Sequence, residues 1–284
     1  MPSQQTSRHS AHFSVRFWGV RGSIPCAGRE TLKYGGNTAC VEIRCGERIL
    51  IFDAGSGIRQ LGQSLASERR STQFDLFFSH YHIDHIMGLP FFAPLYSSDC
   101  AVTLWGARTS PGHGIEQALN GLMNEPLFPV RLGDLQARVT IRDFHAGETL
   151  KPEPDIALRT ADLHHPGGAT GYRVEYAGKS IAYLSDTELP DGTIAPGILA
   201  MAHDADLLIL DCTYTDQELP LHRGWGHASW QQGVKLANAS NAKRLCLFHH
   251  DPGHDDAFMD AVANEATAAR LGTTVASEGM SIDL

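Results

Sequence analysis

Between Ser79 and His85 the chain reads SHYHIDH, and four side chains able to bind a metal (His80, His82, Asp84 and His85) fall within six positions. The stretch follows directly on the apolar run Phe74–Phe78, so it reads as a loop leaving the end of a β-strand. Imidazole nitrogen and carboxylate oxygen are donors for zinc and related first-row ions. A His-x-His pair puts two rings on one side of the backbone, and Asp84 and His85 follow closely enough to turn toward a second point. One ion does not comfortably take all four from so short a loop, so the spacing points to two adjacent ions. Two cations held close together lower the pKa of a shared water and offset charge on the group it attacks, which is hydrolytic chemistry.

Other strand-like runs end in further donors. LHHPGG ends one at His164 and His165, YLSDTE another at Asp186, and LCLFHHDP a third at His249 and His250; GWGHAS delivers His227 at a helix start. Each of these taken alone would more often be structural. Together with the His-x-His-x-Asp-His loop they form a coherent nitrogen and oxygen ligand set for zinc, with manganese or iron also compatible.

The elements that must carry these residues are mostly short strands. Apolar or alternating runs fall at 13–18, 39–45, 48–55, 74–79, 101–105, 138–144, 155–161, 171–185, 206–212 and 244–249. Alternation in VEIR and GYRVEY suits half-buried strands, whereas the solid runs ILIF and LLIL suit strands covered on both faces. VEYAGKSIAYL reads as a hairpin about its Ala-Gly-Lys turn. Helices are expected over 57–69, over HASWQQGVKLANAS with Trp230, Val234 and Ala237 on one face, and over DDAFMDAVANEATAARLG with Phe258, Val262, Ala266 and Ala269 on one face and Gly272 as the stop. Residues 108–132 are Gly/Pro-punctuated and carry Met123, Leu127 and Phe128; such a segment is either a lid over the site or a surface excursion. Residues 1–12 are polar and read as a tail, leaving 13–284 as one domain.

Composition excludes several classes. The 284 residues carry a formal charge of −9 with no basic run, which disfavours an extended polyanion as partner. No apolar stretch reaches the length of a membrane span and the first residues lack a signal-peptide core, so the expectation is a cytoplasmic protein. The six cysteines form no C-x-x-C pair and read as free thiols of a reducing compartment. A homodimer is allowed by this composition.

The sequence resembles the metallo-β-lactamase superfamily. The likeness runs over nearly the whole chain, from WGVRGSIP and YGGNTACVEI through IFDAGSGIRQLG to LFHHDPGHDD. HPGGATGYRVE, LSDTE and GWGHAS make it most similar to the branch of ribonuclease Z and the phosphoribosyl cyclic phosphodiesterases. The resemblance implies an α/β fold, the four-layer αβ/βα sandwich of two mixed β-sheets flanked by helices. It implies one metal on His80, His82 and His165, a second on Asp84, His85 and His249, and Asp186 as a bridge between them. It selects His165 over His164 by its distance from Gly171, and His249 over His250 because the ligand directly follows the strand. His164 and His250 are left as supporting or substrate-contacting residues. Asp53 matches an aspartate that braces the metal loop. Asp84 is expected to accept the proton of the attacking water, and His227 to serve the leaving group. In HAS this chain departs from the His-Ser-Thr usual in that branch.

The function so implied is a dinuclear metal-dependent phosphodiesterase, in which hydroxide bridging the two ions attacks the phosphorus. Ribonuclease Z carries a long arm between the third-motif histidine and the bridging aspartate, whereas here Asp186 follows His165 by 21 residues. With the acidic charge, this favours a small, cyclic diester over RNA. The competing readings are ribonuclease Z-like RNA processing, a thioester or lactam hydrolase, and a non-catalytic metal-binding protein.

Overall fold

Ile49 and Ile51 pack on one face of their strand, and Leu50 and Phe52 on the other, into separate hydrophobic clusters. Leu208 and Leu210 are likewise parted from Leu207 and Ile209. A strand that is apolar at every position must be covered on both sides, and this requirement builds the layers of the molecule. The computed structural model describes residues 12–68, 72–108, 114–190 and 194–284. The expected tail, His12 aside, and positions 109–113 of the 108–132 segment lie outside the described residues.

In chain order the elements are β1 (Phe13–Gly19), β2 (Cys40–Cys45), β3 (Arg48–Phe52), α1 (Ile58–Glu68), β4 (Gln73–Phe78), α2 (Ile83–Ile86), β5 (Ala101–Ala107), α3 (Ile115–Leu122), β6 (Arg138–Phe144), β7 (Thr149–Glu153), β8 (Ile156–Leu163), β9 (Ala169–Tyr176), β10 (Lys179–Leu184), α4 (Pro196–Ala202), β11 (Leu207–Asp211), α5 (Trp230–Ala239), β12 (Leu245–Phe248), α6 (Asp256–Ala269), β13 (Thr273–Val275) and β14 (Ser281–Asp283). They form two seven-stranded sheets, ordered β14-β1-β2-β3-β4-β5-β6 and β13-β12-β11-β10-β9-β8-β7. Both are mixed. β3 through β6 run parallel, as do β10 through β13, while the remaining neighbours are antiparallel.

The sheets face each other across a core that includes Phe17, Phe52, Phe77, Tyr172, Tyr183 and Phe248. Phe52 meets Phe77 and Tyr172 at 5.3 Å each, and Tyr183 meets Phe248 at 5.7 Å. Each such buried ring contributes about 1.5–3 kcal/mol. Helices α1 and α3 cover the outer face of the first sheet, and α4, α5 and α6 that of the second. This is the four-layer αβ/βα sandwich. No helix among the described residues is long and apolar enough to cross a membrane, and all six cysteines are free thiols.

Local chemistry sets several boundaries. The β9–β10 hairpin turns on Ala177 and Gly178, both left-handed at φ 51° and 77°, the two-residue turn that matches strand twist. Ser229 caps α5 and completes a capping box with Gln232. Asp255 caps α6, whose buried face carries Met259, Val262 and Ala266; Ala269 is exposed, and the helix ends there, short of Gly272. Within 108–132, α3 is a real helix, and Ile115, Leu119 and Met123 are buried against the first sheet. Met123 therefore anchors this segment. Phe128 meets Phe91 at 5.7 Å and Leu127 is exposed.

Candidate metal centre

The ends of β4, β8, β10, β11 and β12 converge on one edge of the sandwich, and each delivers a polar residue there. Ser79, His80 and His82 follow β4, with Asp84 and His85 on the single turn of α2. Three residues leave their strands in the left-handed region, Asp53 at φ 61°, Asp186 at 60° and His249 at 64°. A β-continuation would send these side chains along the sheet, whereas the left-handed step turns them into the edge. Non-glycine residues hold such a conformation only where their surroundings over-determine it.

Asp53 is the hub beneath the loop. Its carboxylate accepts from Ser79 N–H at 2.7 Å, Ser79 Oγ at 2.8 Å and Tyr183 OH at 2.7 Å, and lies 2.9 Å from His85 Nδ1. Tyr172 OH donates to the Phe78 carbonyl at 2.6 Å, and Thr170 N–H donates to Ser79 O at 2.8 Å. The aromatic core of the sheets thus forms the floor of the site. Asp53 braces the loop from below, outside the donor cluster.

Above that floor the donor atoms fall into groups. His80, His82 and His165 form one, with ring centroids 4.5–4.9 Å apart and His165 Nε2 3.0 Å from His82 Nδ1. Asp84, His85 and His249 form another: His85 Nε2 lies 3.3 Å from Asp84 Oδ2 and 3.3 Å from His249 Nε2, and the third side measures 3.4 Å. Asp186 sits between the groups. It is 3.2 Å from His85 and 3.3 Å from His249, and 3.9 Å from both His80 and His165. Ligands of a tetrahedral zinc ion bound at about 2.0–2.1 Å stand about 3.3 Å from one another, which is the spacing of the second group.

Two further observations fit bound cations. His80 Nε2 is buried with no hydrogen-bond partner, while Nδ1 of the same ring lies 3.1 Å from Ser79 Oγ. Among the described residues, the ion-pair contacts of buried Asp84 and Asp186 are to histidines alone, so positive charge is in short supply. Burial lowers the pKa of His80, His82 and His165, which favours the neutral, ligating imidazole. Burial alone would raise the Asp84 carboxyl, but His85 and His249 hold it well below the carboxylate range. Burial would likewise lower His85, yet Asp186, Asp84 and Asp53 around it drive it upward.

The two His-His doublets separate in the structure. His165 is turned inward, and His164 is 68% exposed and 3.7 Å from Glu188. His249 lies in the cluster, whereas His250 is turned away to contact Ala276 O at 2.9 Å. Strand alternation does not make this choice, because His165 lies beyond β8 and His249 has already left β12; the backbone turns do.

Several participants escape a reading for ligands. Asp211 ends β11 after a solid apolar run, just as Asp53 ends LIF, and that shared strand-end aspartate is the signal that could have found it. Asp211 Oδ2 is 2.8 Å from His227 Nδ1. Its other oxygen accepts from Thr213 Oγ1 at 2.7 Å, and Thr213 Oγ1 lies 3.0 Å from His249 Nδ1. Burial would depress His227, but the Asp211 carboxylate outweighs it and pushes the imidazole up to about 9. Ser23 N–H donates to Asp84 Oδ2 at 2.7 Å. Gly22 leaves room for His249: a Cβ there would stand 2.3 Å from the ring.

A family model for the beta-lactamase superfamily domain matches residues 47–250, a span that holds every donor just described except the loop of Gly22 and Ser23. The chain belongs to the β-lactamase superfamily. This superfamily member is 28% identical to a ribonuclease Z of Bradyrhizobium diazoefficiens over 295 residues, covering 86% of this chain and 91% of that protein. It is 26% identical to a ribonuclease Z of Haloferax volcanii over 275 residues, covering 82% and 83%. Among solved structures it resembles the metallo-beta-lactamase fold protein YhfI of Bacillus subtilis, with TM-score 0.73, 18% identity and coverage of 96% and 100%. It also resembles a diphosphatase of the PhnP family, with TM-score 0.70, 16% identity and coverage of 96% and 97%. These structural likenesses establish the metallo-β-lactamase fold. The superfamily member is a metal-dependent hydrolase with a buried histidine and aspartate cluster able to bind divalent metal.

Proposed function

We infer that this hydrolase is a dinuclear phosphodiesterase acting on a small, cyclic phosphodiester. The observation that carries the reading is His227, held by Asp211 at 2.8 Å and 3.8 Å from Asp186, beside a full ligand set. His80, His82 and His165 would hold one ion, Asp84, His85 and His249 the other, and Asp186 would touch both. The nitrogen and oxygen donors and the tetrahedral spacing favour zinc. Bound there, two divalent ions supply hydroxide near neutral pH and neutralise charge on a phosphoryl oxygen.

The chain's own residues supply the rest. Asp84, fixed by Ser23 N–H, orients the attacking water and accepts its proton. His227, protonated at neutral pH because Asp211 faces it, donates to the departing alkoxide. General acid help of this kind contributes about 10²–10⁴-fold. A lactam or thioester hydrolase leaves this Asp–His pair without a task.

The relatives named ribonuclease Z favour a second reading, an RNA phosphodiester cleaved by the same chemistry. Against it stand the charge of −9 and the direct β9–β10 hairpin between His165 and Asp186, which leaves no RNA-clamping arm. Polyanion binding rests on many Lys/Arg–phosphate contacts. Zinc-loaded protein assayed against a precursor tRNA and a panel of cyclic and linear small diesters, at matched salt, separates the two. The expected result is a higher kcat/KM for a small cyclic diester. Site-specific tRNA cleavage with negligible turnover of every small diester would replace this reading with the second.

A further inference from the structure

Trp225 is 59% exposed, while Trp18 and Trp230 are buried and Trp105 is half-buried. It stands in the sequence Gly224-Trp225-Gly226-His227, and both glycines are left-handed, at φ 82° and 86°. Gly226 lies directly on the metal centre. Its carbonyl is 3.0 Å from His165 Nδ1, and a Cβ there would stand 2.2 Å from that atom. Only glycine lets the loop pass so close, and the passage places Trp225 one residue before the Gly226 that covers His165 and two before His227.

The loop is also held. The backbone N–H of Trp225 donates to His222 O at 3.1 Å, and Gly224 N–H donates to Glu188 Oε1 at 3.0 Å. The indole meets the His222 ring edge-on at 4.9 Å. His222 in turn stacks on Tyr214 at 4.2 Å and 13°, and Tyr214 meets His227 at 6.0 Å. A large aromatic side chain left in water on a fixed loop beside a reactive centre marks a binding surface. Other loops of the centre carry exposed apolar side chains as well: Ile24, one residue beyond the Ser23 that holds Asp84, is 59% exposed, and Ile83, next to Asp84 itself, is 55% exposed.

We propose that Trp225 is a specificity-determining platform that stacks on a planar aromatic ring, a nucleobase or an aryl group, carried by the diester at the metal centre. The proposal rests on the phosphodiesterase reading for the bond cleaved and on the geometry of the 222–227 loop for the ring. Preorganisation matters because a loop whose backbone is already fixed loses little freedom when a ring lands on its indole.

The test uses the metal-loaded protein with a nucleoside 2′,3′-cyclic phosphate, the base-free methyl riboside 2′,3′-cyclic phosphate and bis(p-nitrophenyl) phosphate. Base–aromatic stacking leads us to expect Trp225→Ala to lower the preference for the base-bearing over the base-free cyclic diester, as a ratio of kcat/KM, by about tenfold or more. The loss should lie in KM, and Trp225→Phe should recover most of it. A parallel loss on bis(p-nitrophenyl) phosphate shows that any planar ring suffices; retention there restricts the platform to nucleobases. Titration with AMP and with ribose 5-phosphate reads the platform without turnover. AMP should quench tryptophan fluorescence in the wild type and not in Trp225→Phe, and ribose 5-phosphate in neither. Equal kinetic losses on base-bearing and base-free diesters overturn the proposal. So does an unchanged ratio with a change of oligomeric state, which would make Trp225 a contact between copies. AMP quenching without turnover of any diester would uphold the platform and remove the phosphodiesterase reading alone.

Discussion

Asp53 Oδ2 lies 2.9 Å from His85 Nδ1, and this contact points Nε2 of the same ring at Asp84, Asp186 and His249. A carboxylate outside the donor groups therefore sets the direction of a candidate ligand. Supporting carboxylates of this kind orient the imidazole and raise its basicity.

Asp53→Asn keeps the shape and removes the charge. The variant should fold, because the amide oxygen still accepts from Ser79 N–H, but zinc affinity should fall about 10–100-fold. Competition against a chromophoric chelator measures this. Wild-type affinity in the variant would reduce Asp53 to a packing residue.

Asp186→Ala should cost more than any single histidine, since Asp186 touches both donor groups. Metal analysis should show marked loss of both ions, and full retention would remove the bridging assignment. The doublets give a sharper contrast. His165→Ala and His249→Ala should lose metal, while the exposed His164→Ala should keep it. His250→Ala should keep metal in its folded fraction yet lower Tm, because a buried ring bonded to Ala276 O is replaced by a cavity. Metal loss in His164→Ala would show that the loop after β8 is turned the other way.

His227→Ala should retain both ions and slow hydrolysis of alkyl diesters by about 10²-fold or more, as loss of a general acid does. The effect should shrink with a p-nitrophenolate leaving group, which needs little protonation. Asp211→Asn should follow the same pattern more mildly and shift the alkaline limb of the pH–rate profile downward, because Asp211 holds the His227 imidazole at about 9. An equal loss for good and poor leaving groups would make His227 a binding residue.

Asp206 offers a stability test far from the metal. Its carboxylate accepts from Ser180 N–H at 2.8 Å and Lys243 Nζ at 2.7 Å. Burial alone would raise its pKa, but the Lys243 and Ser180 hydrogen bonds outweigh that and hold it below 3.8. A depressed carboxyl contributes stability that is present above the unfolded value and lost as pH falls through the folded one. Lys243 is 67% exposed, so Asp206→Asn should cost only about 0.5–1 kcal/mol at pH 7. Urea unfolding at pH 7 and near pH 2 should show the difference between wild type and variant closing in acid. A constant difference would assign the effect to packing.

Much of this molecule is written locally. The His-x-His-x-Asp-His loop after an apolar strand, the solid ILIF and LLIL runs and the Ala-Gly hairpin each depend on neighbours in sequence, and burial on both faces or a left-handed turn follows from residue type alone. The three-residue strands β13 and β14 are too short to show a period, β7 (Thr-Leu-Lys-Pro-Glu) has too few apolar residues to show one, and all three exist because a partner strand satisfies their backbone groups. Helix α3 is only eight residues long and sits in a Gly/Pro-punctuated stretch; Ile115, Leu119 and Met123 recur there at helical spacing, and the first sheet covers that face. Within the site, sequence supplies the donors but not their direction. Which histidine of each doublet faces inward depends on backbone turns at His165 and His249. Asp211 and Gly226 acquire their neighbours His227 and His165 only when β11, the loop after β8 and the 222–227 loop meet at the sheet edge. Such contacts join residues far apart in the chain, and no local periodicity encodes them; only the packed sheets bring the partners within a hydrogen bond of each other.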